Sequence, residues 1–425
     1  MPDIDQYDRA TLAILEQELA ARFATLKASG LALDLTRGKP SSEQLDLADA
    51  LDGVLQGNYH DASGTDLRNY GGLDGIAEAK ALFAPLLQAP AANVMVGGNS
   101  SLSMMYQALL YCMHFGLSGP ASAWSKSGPV KFICPVPGYD RHFTACIHLG
   151  IELLSVPLTG KGPDMDAVEA LIDADPAIRG IWCVPRFSNP TGEVYDAATV
   201  DRIAALGKRA HKDFRVFWDD AYAVHAFDAA APTLPSLWSA CEAAGTTDSV
   251  LLFGSTSKIT HAGAGVAFMA ASGSNLAAIR EHLGFSSIGP DKVNQMRHVR
   301  LLRDAAGLRA HMDKHAALLA PRFAAVLKAL EQGLAGAGMG EWLRPQGGYF
   351  VSFDARPGLA REVVRLAAEA GVKLTPAGAT FPYGRDPADR NIRIAPSFPS
   401  LQDIKAAMEV FVVCVKLASV RQKLG

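Results

Sequence analysis

A lysine behind a run of small hydroxyl residues is the first feature that could do chemistry. Lys258 closes Gly254-Ser255-Thr256-Ser257-Lys258, directly after the apolar run 249–253. The hydroxyls can hold an anion while the amine faces a cavity, and a deprotonated amine attacks carbonyl carbon. Taken alone, such a lysine is more often solvated or salt-bridged. Asp219 lies 39 residues earlier, at the end of the apolar run 214–218, with Asp220 next and Tyr222 three residues on. A carboxylate ending a buried strand is costly unless a cation or donors meet it. The competing reading is a helix N-cap, which either aspartate suits. Asn189 comes 30 residues before Asp219, in Ser188-Asn189-Pro190-Thr191-Gly192, a loop whose Pro and Gly set the turn. Further upstream, Tyr139 in Pro137-Gly138-Tyr139 offers an aromatic face. Gly97-Gly98-Asn99-Ser100-Ser101 offers a strand-to-helix turn suited to phosphate.

These residues need a scaffold, and the chain alternates short apolar runs with helical stretches. The runs are 94–96, 130–134, 152–156, 180–184, 215–218, 250–253 and 265–269. Such alternation predicts a mostly parallel sheet covered by helices on both faces, with ligands at the carboxyl ends of its strands. Residues 291–334 read as one long helical stretch, followed by strands at 348–353, 372–375 and 391–394 that suggest a second, smaller α/β unit. Near the start, Leu12, Leu15, Leu19, Phe23 and Leu26 recur at helical spacing, and this helix is expected to pack with the smaller unit. Ala- and Gly-rich stretches at 226–231 and 333–340 read as loops or helix ends.

Composition excludes several classes. The 425 residues carry 40 Lys and Arg against 43 Asp and Glu, a formal charge of −3, so no strong field favours nucleic acid or an anionic bilayer. The six cysteines form no CxxC pair and read as buried thiols in a reducing compartment, without a metal. No apolar run is long enough to span a bilayer, and the charged opening is unlike a signal peptide. The expectation is a cytoplasmic protein.

In this order the motifs resemble the fold-type-I pyridoxal phosphate enzymes, specifically the class I aminotransferases that include aspartate aminotransferase. The resemblance runs from Arg68-Asn69-Tyr70-Gly71-Gly72-Leu73-Asp74-Gly75 through Pro345-Gln346-Gly347-Gly348-Tyr349-Phe350 to Asn391-Ile392-Arg393-Ile394. It implies an α/β fold with a mostly parallel seven-stranded sheet in a large domain, residues 48–304, and a smaller α/β domain, residues 305–425. Residues 1–47 would pack with the latter. The implied cofactor is pyridoxal 5′-phosphate. Lys258 would be the Schiff-base lysine and proton carrier, and Asp219 the partner of the pyridine nitrogen, with His142 behind it. Tyr222 and Asn189 would bond the ring's phenolic oxygen, and Tyr139 would stack on the ring. Asn99, Ser100, Ser101 and Ser255 would hold the phosphate, with Tyr70 reaching in from a second subunit of a homodimer. Arg393 would take the substrate's α-carboxylate, since a guanidinium can form two parallel charged hydrogen bonds with it.

One position departs from the pattern. Family members carry a phosphate-binding arginine eight residues after the lysine, and here that position is Val266. The phosphate would then rely on the Ser and Asn donors, or on another cation such as Lys126 or His261. The variant resembles the divergent type Ic aspartate aminotransferases from Thr36-Arg37-Gly38-Lys39-Pro40 onward. That implies a dicarboxylic pair, aspartate with 2-oxoglutarate, and a loop over the substrate in which Arg37, Gly38 and Lys39 are substrate-binding candidates. Arg37 or Lys39 would read the distal carboxylate. Two other readings remain open. One is a decarboxylase or lyase on the same scaffold; the other is the effector domain of a transcription regulator. The second is disfavoured because only about forty residues precede the first motif and no basic recognition helix is evident.

Overall fold

The computed structural model describes residues 2–425. Along the chain its strands are β1 (Leu33–Leu35), β2 (Val94–Val96), β3 (Lys131–Val136), β4 (Glu152–Pro157), β5 (Ile178–Cys183), β6 (Arg215–Asp219), β7 (Val250–Ser255), β8 (Ala267–Ala271), β9 (Gly340–Trp342), β10 (Val351–Ala355), β11 (Val372–Leu374) and β12 (Asn391–Ile394). Seven of them form one sheet in the order β2-β8-β7-β6-β5-β3-β4. β8 runs antiparallel to both of its neighbours, and the other pairings are parallel. The fold is therefore the α/β architecture that the alternating runs predict.

Helices cover both faces of this sheet, which is why its strands read as unbroken apolar runs rather than alternating ones. Successive residues serve opposite cores. Ile133, Ile181, Val216, Trp218, Leu252 and Phe268 enter one. Phe132, Trp182, Phe217, Leu251, Phe253 and Met269 enter the other. This two-sided burial holds the strand ends, and whatever they carry, in fixed positions.

A separate core gathers β10, β11 and β12, the helix Leu401–Leu424 and the helix Arg9–Ala28. Leu12, Leu19 and Leu26 are buried in it, with Leu15 and Phe23 packed against its edge. The first helix begins at Asp8, whose side chain accepts from the Thr11 N–H at 2.7 Å. β1 pairs in parallel with β11, and β9 and β12 flank β10 in a three-stranded antiparallel sheet. β1 and β9, three residues each, have no counterpart among the runs read from sequence.

The stretch 291–334 is two helices rather than one. Lys292–Leu302 ends at Arg303, whose φ of 64° leaves the helical region, and Asp304 then caps Ala305–Leu334 by accepting from the Gly307 N–H at 2.8 Å. Among the described residues no helix is long and apolar enough to cross a membrane. All six cysteines are buried and unpaired.

Candidate active site

The carboxyl ends of β5, β6 and β7 open into a cavity of about 610 Å³. Asp219, the last residue of β6, is 3% exposed on its floor. Its Oδ2 lies 2.9 Å from His142 Nε2, and the imidazole is fixed by stacking on Trp182 at 4.0 Å with planes 7° apart. Among the described residues Oδ1 is buried without a hydrogen-bond partner. No helix starts at Asp219 or Asp220, so neither acts as an N-cap. A buried carboxylate with one oxygen unsatisfied calls for a cationic donor from the cavity side.

Lys258 follows β7, and its Nζ sits 4.9 Å from the centre of the Tyr222 ring, with no ion pair or hydrogen bond among the described residues. Burial pushes the amine below its ordinary value, and the charge of Asp219 opposes that shift. The backbone around the lysine is clamped. Tyr349 donates its hydroxyl to the Lys258 carbonyl at 3.5 Å, and His225 Nε2 lies 3.1 Å from the same oxygen. Gln44 donates to Tyr349 at 2.9 Å, and its amide nitrogen is 3.2 Å from His315 Nδ1. His311 and His315 both place Nε2 on the Ile259 carbonyl, at 2.6 and 2.9 Å. The N-terminal segment thus reaches the lysine through a chain of buried polar contacts that no motif signals.

Arg393, on β12, is 6% exposed and faces the same cavity. Its Nη1 donates to Asn189 Oδ1 and Asp140 Oδ1, both at 3.2 Å, and its Nε to Thr375 Oγ1 at 3.3 Å. Among the described residues Nη2 has no partner. The guanidinium lies over the Phe350 ring at 4.9 Å, so its orientation is set from both sides.

Ser100, Ser101, Ser255 and Ser257 line the opposite end, where the helix Ser101–His114 begins. Ser100 occupies the N-cap position but makes no capping hydrogen bond, so hydroxyls and backbone N–H groups at this positive helix end are available to an anion. Tyr139 lines the cavity, edge-on to His142 at 4.9 Å. Tyr222 also lines it and is buried. The loop after β1 covers the mouth with Arg37, Gly38 and Lys39. A Cβ on Gly38 would collide with the Phe350 ring, so only glycine lets the loop approach so closely. Lys39 Nζ rests 3.8 Å from the Phe398 ring centre.

Four residues named from sequence lie elsewhere. Asn99 is exposed outside the cavity, its amide donating to the Gly263 carbonyl at 3.2 Å. Tyr70 is 82% exposed, on a loop whose Asn69 and Gly71 carbonyls accept from Lys292 at 2.8 and 2.7 Å. Lys126 donates to the Pro120 carbonyl, and His261 sits 3.6 Å from Asp49, so neither cation lines the cavity. Val266 is buried, its N–H on Thr256 Oγ1. The sequence reading did not single out Asp140 and Thr375, which hold Arg393, or Arg141, exposed on the first turn of the helix Asp140–His148, one position before the aspartate's partner. For Arg141, proximity to Tyr139 in sequence was the available signal.

The residues present fit pyridoxal 5′-phosphate: an orphaned acid for a ring nitrogen, an aromatic wall, a free amine, and an anion end made of hydroxyls at a helix start. Among the described residues no cluster of side chains suits a metal ion. Comparison with known proteins points the same way. The family described as aspartate amino-transferase matches residues 8–425. A Mycolicibacterium smegmatis protein carrying an aminotransferase name is 48% identical over 417 residues, covering 97% of both chains. The aspartate aminotransferase of Corynebacterium glutamicum is 46% identical over 417 residues, 98% of this chain and 96% of that one. A crystal structure of an aspartate transaminase from C. glutamicum superposes with a TM-score of 0.96 at 45% identity, covering 99% of each chain. With its sheet order, its lysine and aspartate at neighbouring strand ends, and these matches over nearly the whole length, the chain belongs to the aspartate amino-transferase family and is a fold-type-I aminotransferase.

Proposed function

We propose that this aminotransferase uses pyridoxal 5′-phosphate to pass the amino group of L-aspartate to 2-oxoglutarate in ping-pong order. The observation that carries the reading is one cavity holding an unpartnered buried carboxylate oxygen, Asp219 Oδ1, and an unpaired amine, Lys258 Nζ. When bound, the cofactor supplies an electron sink for the charge left at Cα once its proton departs.

The chain's own residues do the rest. Asp219, steadied by His142, would meet the cofactor's ring nitrogen and favour its protonated form. Lys258 holds the cofactor through its amine and, once displaced by the substrate, takes the proton from Cα. Burial lowers the amine below its ordinary value, the direction that favours the neutral form a base needs. Arg393 holds the α-carboxylate, its own geometry fixed by Asn189, Asp140 and Thr375. Tyr139 would stack on the cofactor ring, Tyr222 and Asn189 would bond its phenolic oxygen, and Ser100, Ser101 and Ser255 would take the phosphate, with Asn99 supporting their loop. Tyr70, projecting from the surface, reaches the phosphate of a second copy, which makes the working unit a homodimer in the cytoplasm.

Val266 leaves no arginine for the phosphate, and neither Lys126 nor His261 lines the cavity, so the serines and the helix start carry more of that load. For the distal carboxylate the exposed cations at the mouth are Arg37, Lys39 and Arg141. The two separate cores support a large domain and a small domain joined by 1–47, with the boundary past Met312 rather than at 304, because Leu308 and Met312 pack into the large core.

The test is a half-reaction followed by absorbance. L-aspartate should convert the resting cofactor to its amine form with release of oxaloacetate, and 2-oxoglutarate should restore it. Release of carbon dioxide or ammonia from aspartate, or no conversion with it, would sink the reading.

A further inference from the structure

We propose that a second cavity, reached from the other side of the β6 end, is a binding site for a small organic cation with an apolar body, received by the carboxylate of Asp220. Consecutive residues at a strand end face opposite ways. Asp219 turns toward the catalytic cavity, and Asp220 lines a separate space of about 600 Å³, nearly the size of the first. The proposal goes beyond the transamination reading and does not depend on it.

Asp220 is 8% exposed, and among the described residues no group donates a hydrogen bond to either of its carboxylate oxygens. Its hydrogen bonds are those of its backbone: the N–H donates to the Phe253 carbonyl at 2.9 Å and the carbonyl accepts from the Ala223 N–H at 3.3 Å. A buried carboxylate left without donors is a standing cost that a ligand can relieve. The nearest cation, Arg186, does not pair with it. That guanidinium is committed to the Ala223 and Pro232 carbonyls, and its Nε is itself buried without a partner. Burial raises the Asp220 carboxyl to about 7, with Arg186 pulling it down and Asp219 pushing it up.

The charge of the lining agrees. Asp220, Asp228 and Asp313 face it against Arg186 and Arg309, leaving one negative charge when all are ionised. The remaining wall is mostly apolar, from Leu86, Val224, Leu234, Leu308 and Met312, with Gln88 and Thr233 as its uncharged polar groups. A pocket with apolar walls and a few convergent polar groups is the usual form of a small-molecule site. The mechanism leaves Asp220 without a task, so this pocket accounts for a carboxylate that nothing else in the fold uses.

Benzamidine is a suitable probe because its amidinium is cationic and planar, carries an apolar ring, and does not condense with an aldehyde cofactor. Calorimetric titration of the cofactor-loaded enzyme should show saturable benzamidine binding, with benzamide and benzoate at least about tenfold weaker. Asp220→Asn should weaken benzamidine at least about tenfold. Ala229→Trp, at the exposed rim, should weaken it to the same degree by filling the mouth, and it serves if the first variant does not fold. Lys258→Ala should leave benzamidine binding unchanged. Equal binding of the three probes, no saturable binding, or an affinity unmoved in the folded variants would overturn the proposal. Loss of benzamidine binding in Lys258→Ala would place the probe in the catalytic cavity and overturn it equally.

Discussion

Asp219, Ser255 and Lys258 sit at or just beyond the ends of strands buried on both faces, whereas Arg37, Lys39 and Arg141 reach the same cavity from exposed positions. The floor is fixed by packing and by buried hydrogen bonds such as His142 to Asp219. The cover consists of long, solvated side chains on a loop and a helix start. In the proposed mechanism this division would separate chemistry from selection. Groups that move a proton must hold sub-ångström geometry, while groups that choose among substrates can be ordered by the substrate itself.

The sharpest way to break the comparison is at the floor. Lys258→Ala should fold, bind the cofactor without a borohydride-reducible link, and lose transamination by at least about 10⁴-fold, the upper range for a positioned proton carrier. Fixation at another lysine would refute the assignment. Next in size, Asp219→Ala should lower kcat by about 10²-fold or more at matched cofactor occupancy, and Asp220→Ala by far less, because only the first faces the catalytic cavity. Equal losses would mean that the two strand-end carboxylates are not divided as described.

A third test concerns the rigidity of the floor rather than its chemistry. Glu193 follows the Asn189 loop, accepts from the Gly162 N–H at 2.8 Å, and is pushed up to about 7 by burial, with that hydrogen bond opposing. A raised carboxyl favours the folded state below its ordinary value of 4.5, and this contribution is lost as pH rises to about 7. Glu193→Gln, which cannot ionise, should therefore be more stable than the parent at pH 8, by on the order of 2 kcal/mol, and no more stable at pH 4. Urea unfolding at the two values measures it; a constant difference across pH would contradict the buried, protonated acid. The smallest effect belongs to the cover. Arg37→Ala, Lys39→Ala or Arg141→Ala should lower kcat/KM for aspartate at least about tenfold while sparing alanine, the loss of one charge-assisted contact. If all three leave the aspartate-to-alanine preference intact, the distal carboxylate is read elsewhere.

The same contrast governs what could be read from sequence. Strands buried on both faces announce themselves as apolar runs, and a polar residue directly after such a run has few places to go, so Asp219 and Lys258 were legible together. β1 and β9 were not, because only one of their six residues is buried and neither leaves an apolar run, whereas β2, equally short, is buried throughout. The break at Arg303 was hidden because apolar spacing continues through it, and only Asp304 as a capping residue hints at a new start. Asn99 belongs to a Gly- and Ser-rich turn that suits phosphate, yet its amide is spent on the Gly263 carbonyl, a contact 164 residues away in sequence. The links from Gln44 and Tyr349 to the Lys258 carbonyl are equally long-range, and no local pattern encodes them.

The pairing of β1 with β11 also sets a timetable for biosynthesis. Leu33 lies opposite Val372, so a strand made near the beginning finds its partner only after some 340 further residues have been added. At about 5–20 residues per second, the first strand waits roughly 20–70 s on the ribosome, and the helix Arg9–Ala28 waits longer for Leu401–Leu424. Meanwhile the seven-stranded sheet, whose strands all lie between residues 94 and 271, can assemble. The nascent protein therefore holds an assembled large sheet while its first thirty-odd residues remain unpaired, and the loop of Arg37 and Lys39, though among the first parts made, is among the last to be set in place.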